Sequence, residues 1–196
     1  MSTSGPCTEF PAPGLHNPQR ILTGHDKEGK SVFIQTDHGY HGAPMLGGAA
    51  AQTIMYSSDS NPIELTGDVD LEFLKKQPSL HNPNGCVARM IDFAPGTESS
   101  LHRALTLGIG TVCEGEIELW LGGEETRIMR PGDVSINRGA MHRWRNTSSE
   151  KPARMLFIML DVKPIIVNGK ALEFEMGKLM DEYAKYEEGE GPDGKE

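Results

Sequence analysis

The sequence predicts an all-β fold, a single sandwich or barrel of short strands, and three observations support this. The chain has 23 Gly and 13 Pro among 196 residues, which divide it into segments that suit strands and turns better than long helices. Between residues 86 and 161, strand-like runs alternate with Gly, Pro or Asn at regular spacing, a pattern typical of sandwiches and barrels. Within residues 116–121, Ile117, Leu119 and Leu121 share one face. The length suits one domain with terminal extensions.

The first part of the chain predicts an arm followed by strands. Residues 1–18 are rich in Pro, Gly, Ser and Thr, which indicates a flexible or surface-hugging arm and not a domain. Strand-like residues at 20–23 and 31–36 flank a polar segment. They predict a β-hairpin whose turn uses Gly29 at a positive φ. Residues 50–58 predict a further strand.

The hairpin turn, GHDKEGKS at residues 24–31, also fits the G-x-x-x-x-G-K-[ST] pattern of a nucleotide-binding phosphate loop. Such a loop must open a helix whose N-terminus faces the phosphates. The residues after Ser31 are instead β-branched or aromatic and typical of a strand. Asp26 and Glu28 would also repel phosphate oxygens. We therefore predict a turn here and no nucleotide partner.

Two helices complete the predicted elements. Residues 67–78 predict a short helix capped by Asp68 or Asp70. A one-sided apolar stripe predicts a C-terminal helix over residues 171–186 that docks on the barrel or on a second subunit. The members of this stripe are Leu172, Met176, Leu179, Met180 and Tyr183. Residues 187–196 hold five acidic residues and one Lys, which predicts a disordered acidic tail.

The charge and cysteine content exclude several classes of partner. The formal net charge is −9, from 19 Lys and Arg and 28 Asp and Glu, and no basic cluster indicates nucleic-acid binding. No run approaches the roughly 18 apolar residues that span a bilayer, so we expect no membrane partner. The N-terminus lacks a secretory signal pattern, and the three cysteines have no C-x-x-C spacing. We expect a cytoplasmic, reduced protein.

Residues 95–115 and 131–146 resemble the two signatures of the cupin superfamily. The first signature reads Gly, five residues, His-x-His, three or four residues, Glu, six residues, Gly. The second reads Gly, about five residues, Pro-x-Gly, two residues, His, three residues, Asn. The matching positions in this chain are Gly96, His102, Gly115, Gly132, Gly139, His142 and Asn146. Asn137 stands in the place of the proline, after a gap that is one residue shorter.

This resemblance implies a single cupin barrel, a double-stranded β-helix or jelly roll of two packed antiparallel sheets, over residues 19–170. It also implies a homodimer. At a finer level, the runs RILTGHD, RPGDV, ARML and NGK are similar to those of small cupin-domain proteins from fungal natural-product pathways. Proteins of that group are commonly described as oxidoreductases.

Cupins hold a divalent metal with three His and one Glu, and this chain departs from that ligand set. The second His position is Ala104 and the Glu position is Gly108, so His102 and His142 are the family ligands that remain. Glu98 is a candidate third ligand. Three further histidines on loops are alternative donors: His38, His41 and His81. We therefore predict either no required cofactor or a weakly bound divalent metal such as Fe, Zn, Mn or Ni.

His102 and His142 are the candidate catalytic pair, and the alternative is that both are buried structural imidazoles. Trp144 lies two residues after His142 on the same side of a strand, where it either stacks on a planar substrate or fills the core. Thr106 and Met90 complete the predicted substrate-binding residues, and Met90 is also suited to packing. The arginines of these segments are predicted to face the opposite, solvated side: Arg103, Arg143 and Arg145.

Three functions remain open at this stage. The first is an enzyme acting on a small polyketide-like or aromatic molecule in the lumen, with His102 and His142 transferring protons in a dehydration, isomerisation or decarboxylation. The second is a metal-dependent oxidoreductase or dioxygenase, as the resemblance implies. The third is a non-catalytic module that binds a small ligand.

Overall fold

A computed structural model gives the fold and describes residues 6–180 and residue 183. Across these residues thirteen β-strands form four sheets. The strands are β1 Arg20–His25, β2 Ser31–Asp37, β3 Tyr40–Met45, β4 Ala50–Ser58, β5 Cys86–Phe93, β6 Thr106–Glu114, β7 Ile117–Leu121, β8 Thr126–Met129, β9 Val134–Arg138, β10 His142–Asn146, β11 Ala153–Asp161, β12 Ile166–Val167 and β13 Lys170–Ala171. One α-helix of the described chain, α1, spans Val69–Leu74.

The barrel consists of two facing sheets. The larger has six strands in the order β3-β4-β5-β11-β6-β9, and the smaller has three in the order β10-β7-β8. Every pairing within them is antiparallel. Ile117 and Trp144 from the small sheet share one buried cluster with Ile91, Met155 and Phe157 from the large sheet. The predicted all-β barrel is confirmed, and its lumen lies between the two sheets.

The β1–β2 hairpin forms as predicted. Gly29 has a φ of +77°, and the carboxylate of Asp26 accepts the backbone N–H groups of Glu28 and Lys30, each at 2.9 Å. Ser31 begins strand β2, so no helix follows the segment that fits the phosphate-loop pattern. The acidic side chain therefore stabilises the turn.

The N-terminal arm hugs the surface over its described part. Cys7 and Ala12 are buried against Ala51 on the outer face of the large sheet. The buried ion pair of Asp92 and Arg154 lies on that face and anchors the arm. The backbone N–H of Ala12 donates to Asp92 Oδ2 at 2.8 Å. Its partner Arg154 donates from Nη1 to the carbonyl of His16 at 2.5 Å. Of the two sequence alternatives, these contacts favour the surface-hugging arm for the described residues 6–18.

The short predicted helix is present, but its predicted cap is not. A 3₁₀ turn at Thr66–Asp68 leads into α1. Asp68 occupies the N-cap position with a left-handed φ of 57° and makes no side-chain capping bond. Asp70 instead accepts the Tyr56 hydroxyl at 2.8 Å. Across the described residues, no helix has the length and apolar character needed to cross a membrane.

The predicted C-terminal helix over 171–186 is wrong at its start. Lys170–Ala171 forms strand β13, which pairs with β12 across a turn whose Asn168 and Gly169 both have positive φ. An Asn-Gly pair is a strong hairpin signal, and it overrides the apolar stripe here. A 3₁₀ turn at Gly177–Leu179 follows, and helical backbone appears at residues 180 and 183. The predicted acidic tail, residues 187–196, lies outside the described residues.

Candidate functional site

The lumen of the barrel contains a cavity of about 70 Å³, enough for several water molecules. Most of its lining is apolar and aromatic, which is typical of small-molecule sites. The polar side chains of the lining are Ser99, His102, Thr106, Ser135, Asn137, His142 and Tyr183. The lining contains no Asp, Glu, Lys or Arg among the described residues. A molecule that fills this space therefore meets an uncharged surface with a few hydrogen-bonding groups.

His102 and His142 are brought together in this cavity. Their backbones form an antiparallel bridge, in which each N–H donates to the other residue's carbonyl at 2.8 and 2.9 Å. The ring centroids are 4.2 Å apart. Both residues are more than nine-tenths buried, with 8% and 7% exposure. The sequence placed the two histidines at signature positions, and the bridge places them side by side.

Each imidazole is held in one tautomer by the backbone. Nδ1 of His102 lies 2.8 Å from the Ser100 carbonyl, and Nδ1 of His142 lies 2.9 Å from the Ala140 carbonyl. A carbonyl oxygen can only accept, so each Nδ1 carries the proton and each neutral ring has its lone pair at Nε2. Within the described chain, neither Nε2 makes a hydrogen bond. The pair therefore offers two acceptors to a molecule in the lumen.

Burial keeps both rings neutral. It lowers the pKa of His102 below the usual value of about 6.5. Burial, reinforced by the nearby charge of His102 when that ring is protonated, lowers the pKa of His142 to about 3. At neutral pH both rings are therefore uncharged, and each can accept a proton at Nε2.

Aromatic rings continue the wall that the histidines begin. Trp144 meets His142 edge to face with centroids 5.4 Å apart, and it meets Phe157 of the opposite sheet at the same distance. Trp144 and Thr106 both line the cavity, as expected of substrate-binding residues. Their role in binding stays a prediction.

The structure does not place Met90 in the site. On β5, Ile91 and Phe93 line the cavity, and alternation along a strand turns Met90 to the other face. There its cross-strand neighbours are Thr53 and Leu156. The prediction of Met90 as a substrate-binding residue is therefore wrong, because a residue in that role has to point into the lumen.

Glu98 is also unavailable as a metal ligand. Its carboxylate forms an ion pair with Arg143 Nη1, and the Arg143 guanidinium lies over the Trp120 ring at 4.4 Å. Arg145 pairs with Glu118 at 2.8 Å on the same side, so Arg143 and Arg145 take the predicted outer position. Arg103 pairs with Glu175 at 3.0 Å, but its side chain is only 19% exposed, so the prediction of a solvated position is not met there.

The donor set at the lumen does not fit a held metal ion. Ala104 and Gly108 line the cavity but carry no donor atom. The three histidines suggested as alternatives, of which His41 lies in β3, are outside the cavity lining. Throughout residues 6–180 and 183, no group of three or more His, Cys, Asp or Glu side chains is placed to hold a metal. Catalytic zinc sites ordinarily use three protein ligands. We therefore derive no chemical step through a metal.

Several lining residues were missed from sequence. Ser135 and Asn137 alternate inward along β9, and the alternation of that strand was the signal available. Asn137 Oδ1 accepts the Ala140 N–H at 2.8 Å, and so supports the turn whose carbonyl holds His142. Tyr183 belongs to the C-terminal apolar stripe and closes the lumen together with Met176.

Arg89 supports this C-terminal wall from behind. It is fully buried and donates to four neutral acceptors: Gln52 Oε1 at 3.0 Å, Tyr183 Oη at 3.1 Å, and the carbonyls of Ser79 and Leu80 at 2.7 and 2.8 Å. Its guanidinium therefore ties β4, the loop before β5 and the C-terminal segment together.

Comparisons with known proteins place the sequence in a family. The sequence model of the family described as Cupin domain matches residues 89–159. The chain is similar to the cupin-domain-containing oxidoreductase srdB of Neurospora crassa, with 73% identity over 191 residues that cover 97% of both chains. It is 42% identical over 186 residues to the Oryzines biosynthesis cluster protein J of Aspergillus oryzae, which covers 89% of this chain and 98% of that protein. Among solved structures, KdgF from Halomonas sp. aligns with a TM-score of 0.42 and 16% identity over 63% of this chain and 89% of that one.

Proposed function

This chain belongs to the cupin-domain family, and on that premise we propose that it is an enzyme of fungal secondary metabolism. In this proposal a small organic molecule binds in the lumen, and His102 and His142 transfer a proton on it. The name of the Aspergillus oryzae relative supports the metabolic setting. The observation that carries the chemistry is the pair of buried, neutral imidazoles whose Nδ1 atoms are fixed on carbonyls and whose Nε2 atoms have no partner in the described protein.

The pair handles one proton at a time. Two imidazolium rings with centroids 4.2 Å apart repel each other strongly in a buried site. An imidazole with a lowered pKa is a modest base, but it returns the proton readily once it has accepted it. Such a pair suits reactions in which the proton is taken and given back, and a positioned general base contributes roughly 10² to 10⁴-fold in rate.

Three reactions fit this requirement. In a dehydration, Nε2 takes a proton from carbon, the electrons of that C–H bond form the double bond, and the leaving hydroxide receives the proton and departs as water. In an isomerisation, the proton returns to a different carbon. In a decarboxylation, the imidazole takes the carboxyl proton and returns it to the carbon that carbon dioxide leaves. Each cycle regenerates the neutral imidazole.

Comparison of metabolites tests the reaction class directly. A producing strain that carries His102→Ala in place of the native chain should accumulate the substrate, which is then compared by mass with the normal product. A difference of one water, no difference, or a difference of one carbon dioxide supports dehydration, isomerisation or decarboxylation, respectively. A difference of two hydrogens or of oxygen atoms would refute proton transfer as the reaction.

A metal-dependent oxidoreductase or dioxygenase is the second candidate, because the Neurospora crassa relative is named an oxidoreductase. The lumen side chains do not favour it, since two imidazoles are the metal-binding donors that line the cavity of the described chain. Elemental analysis of purified protein decides between the two: one metal ion per chain that survives chelation would support the oxidoreductase. The homodimer and the cytoplasmic location stay predictions, which the mass in solution and microscopy of a tagged chain would test.

The lowered histidine pKa values predict a specific loss of stability in acid. Between the unfolded pKa of about 6.5 and the lower folded values, the unfolded chain binds protons that the folded barrel does not. The stability contributed by the neutral rings is therefore complete above pH 6.5 and falls as the pH drops. The unfolding free energy of the native sequence should fall from pH 6.5 to 4 more steeply than that of His142→Gln, by up to about 1.4 kcal/mol per pH unit. Urea titrations at several pH values measure both slopes, and parallel curves would contradict the buried, neutral state of His142.

A further inference from the structure

Strand β6 presents one threonine and two glycines to the lumen. Thr106, Gly108 and Gly110 are spaced two apart, so all three face the cavity, and all three line it. At the two glycines the lumen reaches the peptide backbone itself. A glycine inside a strand costs conformational entropy and often marks a close approach of a ligand or another backbone.

The two glycines differ in what the fold requires of them. A Cβ at Gly110 would lie 3.0 Å from Ser135 Oγ, 3.2 Å from Phe157 Cε1 and 3.3 Å from Met155 Cε, so packing explains that glycine. A Cβ at Gly108 would make ordinary contacts with Asn137, at 3.7 Å from its Cβ and 3.9 Å from its carbonyl oxygen. Neither glycine has a positive φ. The fold therefore leaves room for a side chain at Gly108 that the sequence does not supply.

Gly108 lies beside the supports of the histidine pair. It pairs with Asn137 in the sheet, Asn137 Oδ1 holds the Ala140 N–H, and the Ala140 carbonyl holds Nδ1 of His142. His102 and His142 are more than nine-tenths buried and face the same cavity. Their Nε2 atoms make no hydrogen bond to the described protein. Open space and unused acceptors therefore occur together.

We propose that Gly108 determines specificity, and that the substrate carries a flat, uncharged ring with a hydroxyl group. The ring lies against the β6 backbone at Gly108 and packs edgewise or face to face with Trp144, while its hydroxyl faces Nε2 of the histidines. Flatness follows from a wall made of backbone, absence of charge from the uncharged lining, and the hydroxyl from two acceptors without donors. This inference rests on the proposed function, because it concerns the same lumen.

A glycine-to-alanine pair tests the proposal. Gly108→Ala places one methyl group in the lumen, and Gly42→Ala is the matched control. Gly42 is an exposed strand glycine outside the cavity, where a Cβ would lie 3.9 Å from the Gln52 carbonyl oxygen. Both variants should melt at the temperature of the native sequence or up to about 3 °C above it, since both positions accept a side chain. This comparison separates a change in the lumen from a change in folding.

Binding is measured by calorimetry with 2-naphthol, a flat ring with one hydroxyl, and with decahydro-2-naphthol, its saturated counterpart. We expect the native chain and Gly42→Ala to bind 2-naphthol at least about tenfold more tightly than Gly108→Ala does, and at least about tenfold more tightly than they bind the saturated alcohol. Equal binding by Gly108→Ala, equal binding of the two probes, or no binding of 2-naphthol by the native chain would each overturn the proposal.

The two proposals fail in different ways. If 2-naphthol binding depends on Gly108 but the metabolite comparison shows an oxidation, the ring site stands and the proton transfer falls. If proton transfer is found but Gly108→Ala binds and turns over normally, the proposed function stands and Gly108 has no role in specificity.

Discussion

His102→Ala and His142→Ala should each lower turnover by at least about 10²-fold per folded molecule. Each change removes an Nε2 acceptor from the lumen, and one positioned general base is worth roughly 10² to 10⁴-fold in rate. The double variant should lose less than the product of the two single losses, because the adjacent rings hold one proton between them and residues that act as a unit are not additive. Turnover is measured on the substrate that accumulates in the His102→Ala strain.

Stability must be measured on the same histidine variants. Both rings are buried, and each donates a hydrogen bond to a carbonyl, so alanine leaves a cavity and an unpaired acceptor that cost about 1 to 3 kcal/mol. The control is His81→Ala, which changes a partly exposed histidine outside the cavity lining and should keep full turnover. Full activity per folded molecule in both single variants would remove the histidines from the reaction and leave them as structural side chains.

Asp92→Ala should destabilise the fold by about 3 to 5 kcal/mol, because it removes the buried carboxylate that Arg154 is hydrogen-bonded to. The other nearby carboxylate, Glu114, is 3.9 Å from Arg154 Nη1 and 44% exposed, so it compensates little. Arg154 Nε and Nη2 lie 2.6 and 2.7 Å from the two Asp92 oxygens, and both side chains are almost fully buried. The same change removes the acceptor for the Ala12 N–H, so the arm should also become sensitive to protease. Urea unfolding and limited proteolysis measure the two effects.

An exposed ion pair provides the comparison for this change. Glu72 and Lys75 are 2.7 Å apart, but both side chains are more than half exposed, and such pairs contribute little to stability. Glu72→Ala should therefore lower the unfolding free energy much less than Asp92→Ala does. If Asp92→Ala costs no more than Glu72→Ala, the pair does not anchor the arm. If Asp92→Ala folds and its arm resists protease as the native arm does, the apolar contacts of the arm are sufficient to hold it on the sheet.

Local sequence patterns determined the strands and turns of this protein. Alternation and turn residues predicted the strands of the barrel, because the direction of a side chain along a strand follows from spacing alone. The same spacing placed Trp144 on the side of His142, and the polar turn with Gly29 predicted the first hairpin. The resemblance to the two cupin signatures identified His102 and His142 as candidates.

Contacts between distant parts of the chain decided the rest. The orientation of β5 turns Met90 away from the lumen and so excludes it from the site. Glu98 forms an ion pair with Arg143, 45 residues later in the chain. The low pKa of His142 arises from burial under elements that meet only in the folded barrel, and the room at Gly108 exists because β9 lies where it does. Spacing along a strand fixes which way a side chain points, whereas its partners, its burial and its charge state depend on which strand arrives opposite. The sequence therefore determined the histidines and the barrel around them, and only tertiary packing made them a neutral pair at the wall of a cavity.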